Sequence, residues 1–211
     1  MLDGLARRLI DPPLDRAGRS LAGAGVSANA VTMLGLVTGL AAALMIALRF
    51  DGAALVLFAV NRVLDGLDGA VARSSERTDR GGLLDIVFDF TVYGAVPLAF
   101  ALREPDTFAV PAAVLLMSFY VNGASFLAFA AIAAKRGLDT QTRGIKSIYF
   151  SAGLMEGTET ILFFLAMILV PAWFPILAYA FAGLTFMSAL ARIVLAWYAF
   201  RDEDEDNDGS S

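Results

Sequence analysis

The stretch LDGLDGAVARSSERTDRGGLLDIVFDF, residues 64–90, decides how this chain is built. It sets Asp65, Asp68, Asp85 and Asp89 beside long apolar runs, with a short polar break in the middle. On a helix, Asp65, Asp68, Gly69, Ala72 and Arg73 fall at i, i+3, i+4, i+7 and i+8 and share one stripe. Gly81, Asp85 and Asp89 fall at i, i+4 and i+8 on the next helix. So short a connection makes the two helices antiparallel neighbours, with their acidic stripes facing each other at one end of the hairpin. A carboxylate at mid-bilayer costs about 2.5 kcal/mol or more on insertion scales, so four of them in one hairpin need a partner.

The surroundings of the hairpin place it in a membrane. The chain has 211 residues, of which 58% are hydrophobic and 18% charged. A soluble domain is nearer about 45–50% apolar and about 25% charged, so cytosolic packing does not account for the excess. Apolar stretches run approximately over 29–48, 52–72, 82–102, 107–134, 146–170 and 173–199, each of the length that spans a bilayer as a helix. None alternates as barrel strands do, and in lipid the backbone must satisfy itself, so these stretches are helices. The expected fold is therefore an all-α integral membrane protein of six transmembrane helices, one domain over residues 1–201. The run from 202 to 211, rich in Asp and Glu, reads as a disordered, solvated tail. No cleavable signal peptide is read in the first residues, which carry charges and prolines where its apolar core would be. Instead Leu2, Leu5, Leu9 and Ile10 share a helical face, with Arg7 and Arg8 elsewhere. They predict a short interfacial amphipathic helix that Pro12-Pro13 stops.

Orientation follows from Lys and Arg. With six spans both termini share a side, and that side carries Arg7, Arg8, Arg16, Arg19, Arg73, Arg77, Arg80, Lys135, Arg136, Arg143, Lys146 and Arg201. The other side carries Arg49 and Arg103. The positive-inside bias predicts cytoplasmic termini and a cytoplasmic acidic site.

The chain contains no Cys and no His. Thiol chemistry, disulfides, the usual zinc sites and imidazole acid–base catalysis are thereby excluded. Four facing carboxylates repel one another unless cations intervene. Hard oxygen donors favour Mg²⁺, with Mn²⁺ or Ca²⁺ as alternatives, and two adjacent ions suit four Asp better than one. Gly69 and Ala72 remove bulk from the acidic stripe and leave a notch for a flat ligand, and Arg73 at its end suits a phosphate. Close packing of Gly and Ala, and a membrane anchor for Arg73, are the structural alternatives.

At these positions the sequence resembles a known family. Asp65-x-x-Asp68-Gly69-x-x-Ala72-Arg73 followed by Gly81-x-x-x-Asp85-x-x-x-Asp89 is similar to the signature of the CDP-alcohol phosphotransferases. A weaker element, Asn29-x-x-Thr32, resembles the opening of that family's first span near the nucleotide. The resemblance implies a metal-dependent transferase in which Asp65, Asp68, Asp85 and Asp89 hold the ions. It implies a CDP-linked donor, usually CDP-diacylglycerol, at Asn29, Thr32, Gly69, Ala72, Arg73 and Gly81. A small alcohol attacks the β-phosphorus and CMP leaves; with no His a carboxylate must serve as the general base, and the resemblance gives that role to Asp89. The resemblance also implies a homodimer in a bacterial inner membrane and a phospholipid-biosynthetic role, with no nucleic-acid partner.

Other polar groups remain to be assigned. Lys135, Arg136, Arg143 and Lys146 form a basic loop that would suit a phosphorylated acceptor. Glu156, Glu159, Arg192 and Arg62 read as interhelical ion pairing, with an acceptor pocket as the alternative for the Glu pair. Ser118, Asn122 and Ser125 read as interhelical glue. A cation transporter using the same carboxylates is the competing function. Transporters place such acids near mid-membrane on broken, repeated helices, which this chain does not show.

Overall fold

The structure is a computed structural model that describes residues 3–75, 78–136 and 157–208; the side chains of 3–9, 199 and 201–208 are outside that description. It is helical, with no strand among the described residues. Helix α1 spans Asp3–Gly23, α2 Ala28–Ala47, α3 Asp51–Ser74, α4 Asp79–Arg103, α5 Pro105–Lys135, α6 Gly157–Leu169 and α7 Phe174–Asp208. A single 3₁₀ turn, Pro171–Trp173, joins the last two. Among the described residues four helices are long and apolar enough to cross a membrane: α2, α4, α5 and the first part of α7. Leu34, Val37, Val56, Leu83, Met117, Ile176 and many more large apolar side chains point outward. So much exposed hydrocarbon around a bundle suits lipid rather than water.

Local signals set the helix ends. Ser27 caps α2, accepting the Ala30 N–H at 3.3 Å, and Thr78 caps α4 by accepting the Gly81 N–H at 3.1 Å. Pro105 opens α5, where a missing N–H costs nothing. Gly25 turns the chain between α1 and α2 with φ of 82°, a conformation glycine adopts without strain.

The predicted short helix at the N-terminus needs correction. Pro12 and Pro13 do not stop α1, which continues through them to Gly23 and packs along α3. Proline inside a helix costs about 3 kcal/mol, and here tertiary contacts offset it. Leu14 seats on Gly66, and Gly18 lies so close to Ala70 that an added Cβ would stand 2.7 Å from the Ala70 carbonyl carbon. The acidic run also departs from its expected state, because α7 is helical as far as Asp208. Extending an existing helix costs far less than starting one. Residues 209–211 lie outside the described residues.

Helix α2 packs against both α3 and α4, α4 against α5, and α5 against α7. The bundle is filled unequally along its length. Its large apolar core gathers around the turns after Ala47 and Arg103: Ile46, Phe58, Phe100, Phe108, Leu115, Phe164, Phe174 and Phe181. Phe100 stacks on Phe174 with ring centroids 4.3 Å apart, and Phe108 lies 5.1 Å from the same ring. Arg103 clamps Asp51 with both terminal nitrogens, joining α4 to α3 at that end. At the opposite end α2, α3 and α4 meet through small and polar residues instead. Gly35 accepts a hydrogen bond from the buried Asn61 amide at 2.8 Å, and Gly39 lies against Val92.

Candidate active site

The hairpin of α3 and α4 brings the acids together as the spacing predicts. Carboxylate oxygens of Asp65, Asp85 and Asp89 all lie within 4.8 Å of one another. Asp68 stands beside this trio, 6% exposed, turned towards α2. The Thr32 hydroxyl donates to the Ala28 carbonyl at 3.0 Å and lines the same hollow as the Asp68 carboxylate. The four acids thus grade from buried Asp68, through half-buried Asp65 and Asp89, to exposed Asp85.

One residue that the acidic motif does not include sits among them. Arg62 is buried on α3 and reaches Asp89 Oδ1 with both terminal nitrogens, at 3.3 and 3.4 Å, and Asp65 at 3.7 Å. Its Nε donates to Asn61 Oδ1 at 2.8 Å and its Nη1 to the Tyr93 hydroxyl at 3.1 Å. The guanidinium also lies over the Phe58 and Tyr93 rings, 5.7 and 5.2 Å from their centroids. The expected ion pairing of Arg62 is therefore present, and it is made with the site itself. The i, i+3 step to Asp65 is visible in the sequence; the link to Asp89 crosses between helices and is not.

Two hollows open from the acids. A small one of about 10 Å³ is lined by Asp65, Asp68, Asp85, Asp89, Asn61 and Arg62 among others, which is room for one water-sized particle. Clustered oxygen donors around such a space fit a hard divalent cation, which all-oxygen sites favour. The larger hollow, about 340 Å³, is lined by Ala28, Asn29, Thr32, Asp68, Gly69, Ala72, Arg73, Thr78, Gly81, Gly82 and Asp85. Every residue expected at the donor site is on that wall. An added Cβ on Gly69 would meet nothing nearer than Arg73 Nη1, at 3.4 Å. Helix packing does not require a glycine there, unlike at Gly39, where the Cβ would stand 2.5 Å from Val92. Arg73 itself is gripped by Asp15 of α1, at 2.7 and 3.2 Å.

The other predicted residues are elsewhere or outside the description. Arg136 donates to the Phe200 carbonyl at 3.0 Å and lies over the Phe200 ring, so it ties α5 to α7. Lys135 is exposed beside it, while Arg143, Lys146 and Glu156 lie outside the described residues. Arg192, buried on α7, binds Asn122 Oδ1 at 3.0 Å and Ser125 Oγ at 2.8 Å. Asn122 and Ser125 are thus glue between helices, as their spacing suggests, while Ser118 donates to the Leu115 carbonyl of its own helix at 2.7 Å.

Comparison with known proteins agrees with this geometry. A family model for CDP-alcohol phosphatidyltransferase matches residues 25–198. Inner membrane protein YnjF of Escherichia coli (strain K12) is 44% identical over 193 residues, which cover 92% of this chain and 94% of that protein. The archaetidylinositol phosphate synthase of Pyrococcus horikoshii is 31% identical over 117 residues, 55% of this chain and 62% of that one. The crystal structure of Mycobacterium tuberculosis phosphatidylinositol phosphate synthase with CDP-DAG bound shares the fold. Its TM-score is 0.68 at 21% identity, covering 87% of this chain and 93% of that one.

Proposed function

Because the chain belongs to the CDP-alcohol phosphatidyltransferase family, we propose that it moves a phosphatidyl group from CDP-diacylglycerol to a small alcohol and releases CMP. The observation that carries this reading is the junction of the acid trio with a cleft walled by Asn29, Thr32, Gly69, Ala72, Arg73 and Gly81. Asp65, Asp68, Asp85 and Asp89 would hold Mg²⁺, or Mn²⁺ in its place, as two ions. When bound, the metal would stabilise the charge of the transferring phosphoryl group and of the departing CMP.

The chain's own groups divide the remaining work. The glycine and alanine wall lets a flat pyrophosphate-linked base come close to the α3 backbone, and Arg73 supplies a guanidinium for phosphate oxygens. Asp89 takes the proton of the acceptor hydroxyl as its oxygen bonds to the β-phosphorus. The bond from that phosphorus to the bridging oxygen breaks, and the electron pair leaves with CMP. Arg62 holds Asp89 in place, with Asn61 and Tyr93 fixing the guanidinium.

A phosphorylated alcohol is the acceptor this reading favours, supported by the basic residues that follow α5 and by what the Pyrococcus relative's name says of that protein. Six spans, counting α3 and the segment that includes α6, would put both termini and the cleft on the cytoplasmic side of an inner membrane, with the protein acting as a homodimer. The family match leaves the transporter reading without support. The test is CMP release from CDP-diacylglycerol by purified protein against a panel of alcohols, with mass analysis of the lipid. Chelator should abolish release and added Mg²⁺ restore it. Full activity in excess chelator, or no CMP from any acceptor, would refute the proposal.

A further inference from the structure

We infer that Asp15, on α1, is a positioning residue that aims Arg73 into the donor cleft. The inference rests on the donor assignment just proposed and extends the site to a helix that precedes the residues the family model matches. Both Nε and Nη2 of Arg73 point at a single oxygen, Asp15 Oδ1, at 3.2 and 2.7 Å. That grip fixes the plane of the guanidinium and leaves Nη1 on the other side, over Gly69 on the cleft wall. Arginine has many rotamers, and holding one of them before the ligand arrives removes an ordering cost from binding.

Asp15 can do this because α1 is placed rigidly. It lies between Leu14, which seats on Gly66, and Gly18, which touches the Ala70 backbone. Gly66, Ala70 and Arg73 follow one another along one face of α3, at i, i+4 and i+7, so α1 runs along that face and holds Asp15 where the Arg73 side chain, lying back over Gly69, meets it. The same helix therefore carries the ligand wall on one side and the clamp's seat on another.

Charge and position predict opposite results, which makes the inference testable. A carboxylate near a pyrophosphate repels it, so on charge alone removing Asp15 should tighten donor binding. If Asp15 acts by holding Arg73, removing it should weaken binding, and an uncharged acceptor of the same shape should serve. The measurement is CDP affinity by calorimetry and the KM for CDP-diacylglycerol. Asp15→Ala should raise the CDP dissociation constant and the KM by about threefold to tenfold, the worth of one exposed charge-assisted hydrogen-bond pair. Asp15→Asn, which keeps the accepting oxygen, should stay close to wild type, and kcat should move less than KM in either.

Arg73→Gln should weaken CDP at least as much, and the double variant Asp15→Ala/Arg73→Gln no more than Arg73→Gln alone. Should Asp15→Ala fail to fold, Asp15→Ser gives the same reading, since it leaves Arg73 intact and is too short to keep the two-nitrogen grip. Unchanged or tighter CDP binding in Asp15→Ala, or losses that add in the double variant, would overturn the inference. Wild-type protein that binds no CDP would instead overturn the donor assignment beneath it.

Discussion

Asp65 and Asp89 are alike in type and half-burial, and their neighbours separate them. Asp89 is held by Arg62 and stands one turn further from the helix start than Asp85. Loss of a general base costs about 10² to 10⁴ in rate, so Asp89→Asn should lose most turnover while keeping CDP-diacylglycerol affinity better than Asp65→Asn does. Donor binding and single-turnover rate, measured on both variants, check this; equal loss of donor binding would transfer the base role to another group. The glycines differ in the same informative way. Gly39→Ala must push apart α2 and α4 at Val92 and should cost about 1–3 kcal/mol of stability, read as a lower melting temperature. Gly69→Val should leave the melting temperature near wild type and raise the donor KM, because the added bulk enters the cleft. The four acids and the α3 and α4 residues of the larger hollow were legible in the sequence because their spacing along single helices encodes a shared face, while Asn29 and Thr32 of α2 were placed beside them by the resemblance alone. Arg62's hold on Asp89 and Asp15's hold on Arg73 were not legible, since those partners are 27 and 58 positions apart and no periodicity joins them.

Among the elements, α1 departs furthest from its sequence reading. A pair of prolines is a strong local signal to end a helix, and the sequence offers nothing nearby to oppose it. The opposition comes from α3, where Gly66 and Ala70 leave a groove that admits Leu14 and Gly18. Tertiary contact overrides local propensity here, whereas the charged run of α7 is helical to Asp208 as the extension of a helix already formed. The apolar elements were easier, because hydrophobic length is itself the signal. The observed bounds of α2, α3, α4 and α5 lie close to the stretches read from composition. Gly18→Leu should test how far the site depends on α1. It drives a side chain into the Ala70 backbone, so it should release α1 from α3 and raise the donor KM even though residue 18 lines no part of the cleft.

Across the whole molecule, the chain's lack of cysteine makes sidedness directly measurable. Ser75→Cys and Asp106→Cys place single thiols at exposed positions on opposite ends of the bundle. In sealed inverted vesicles an impermeant maleimide should label the first and spare the second, and labelling of Asp106→Cys alone would reverse the proposed orientation. The unequal filling of the bundle has a further consequence, in the order in which the protein fails on heating. One end is bolted by stacked phenylalanines and by Arg103 on Asp51, while the site end is joined through glycines, single hydrogen bonds and charge pairs. Regions with few buried apolar contacts open at lower free energy than the packed remainder. Catalytic capacity should therefore disappear several degrees before helicity does, reversibly, with the bolted end acting as the template on which the other recloses. Activity and circular dichroism recorded on one heating and cooling cycle would show two separated transitions, the lower of them recoverable.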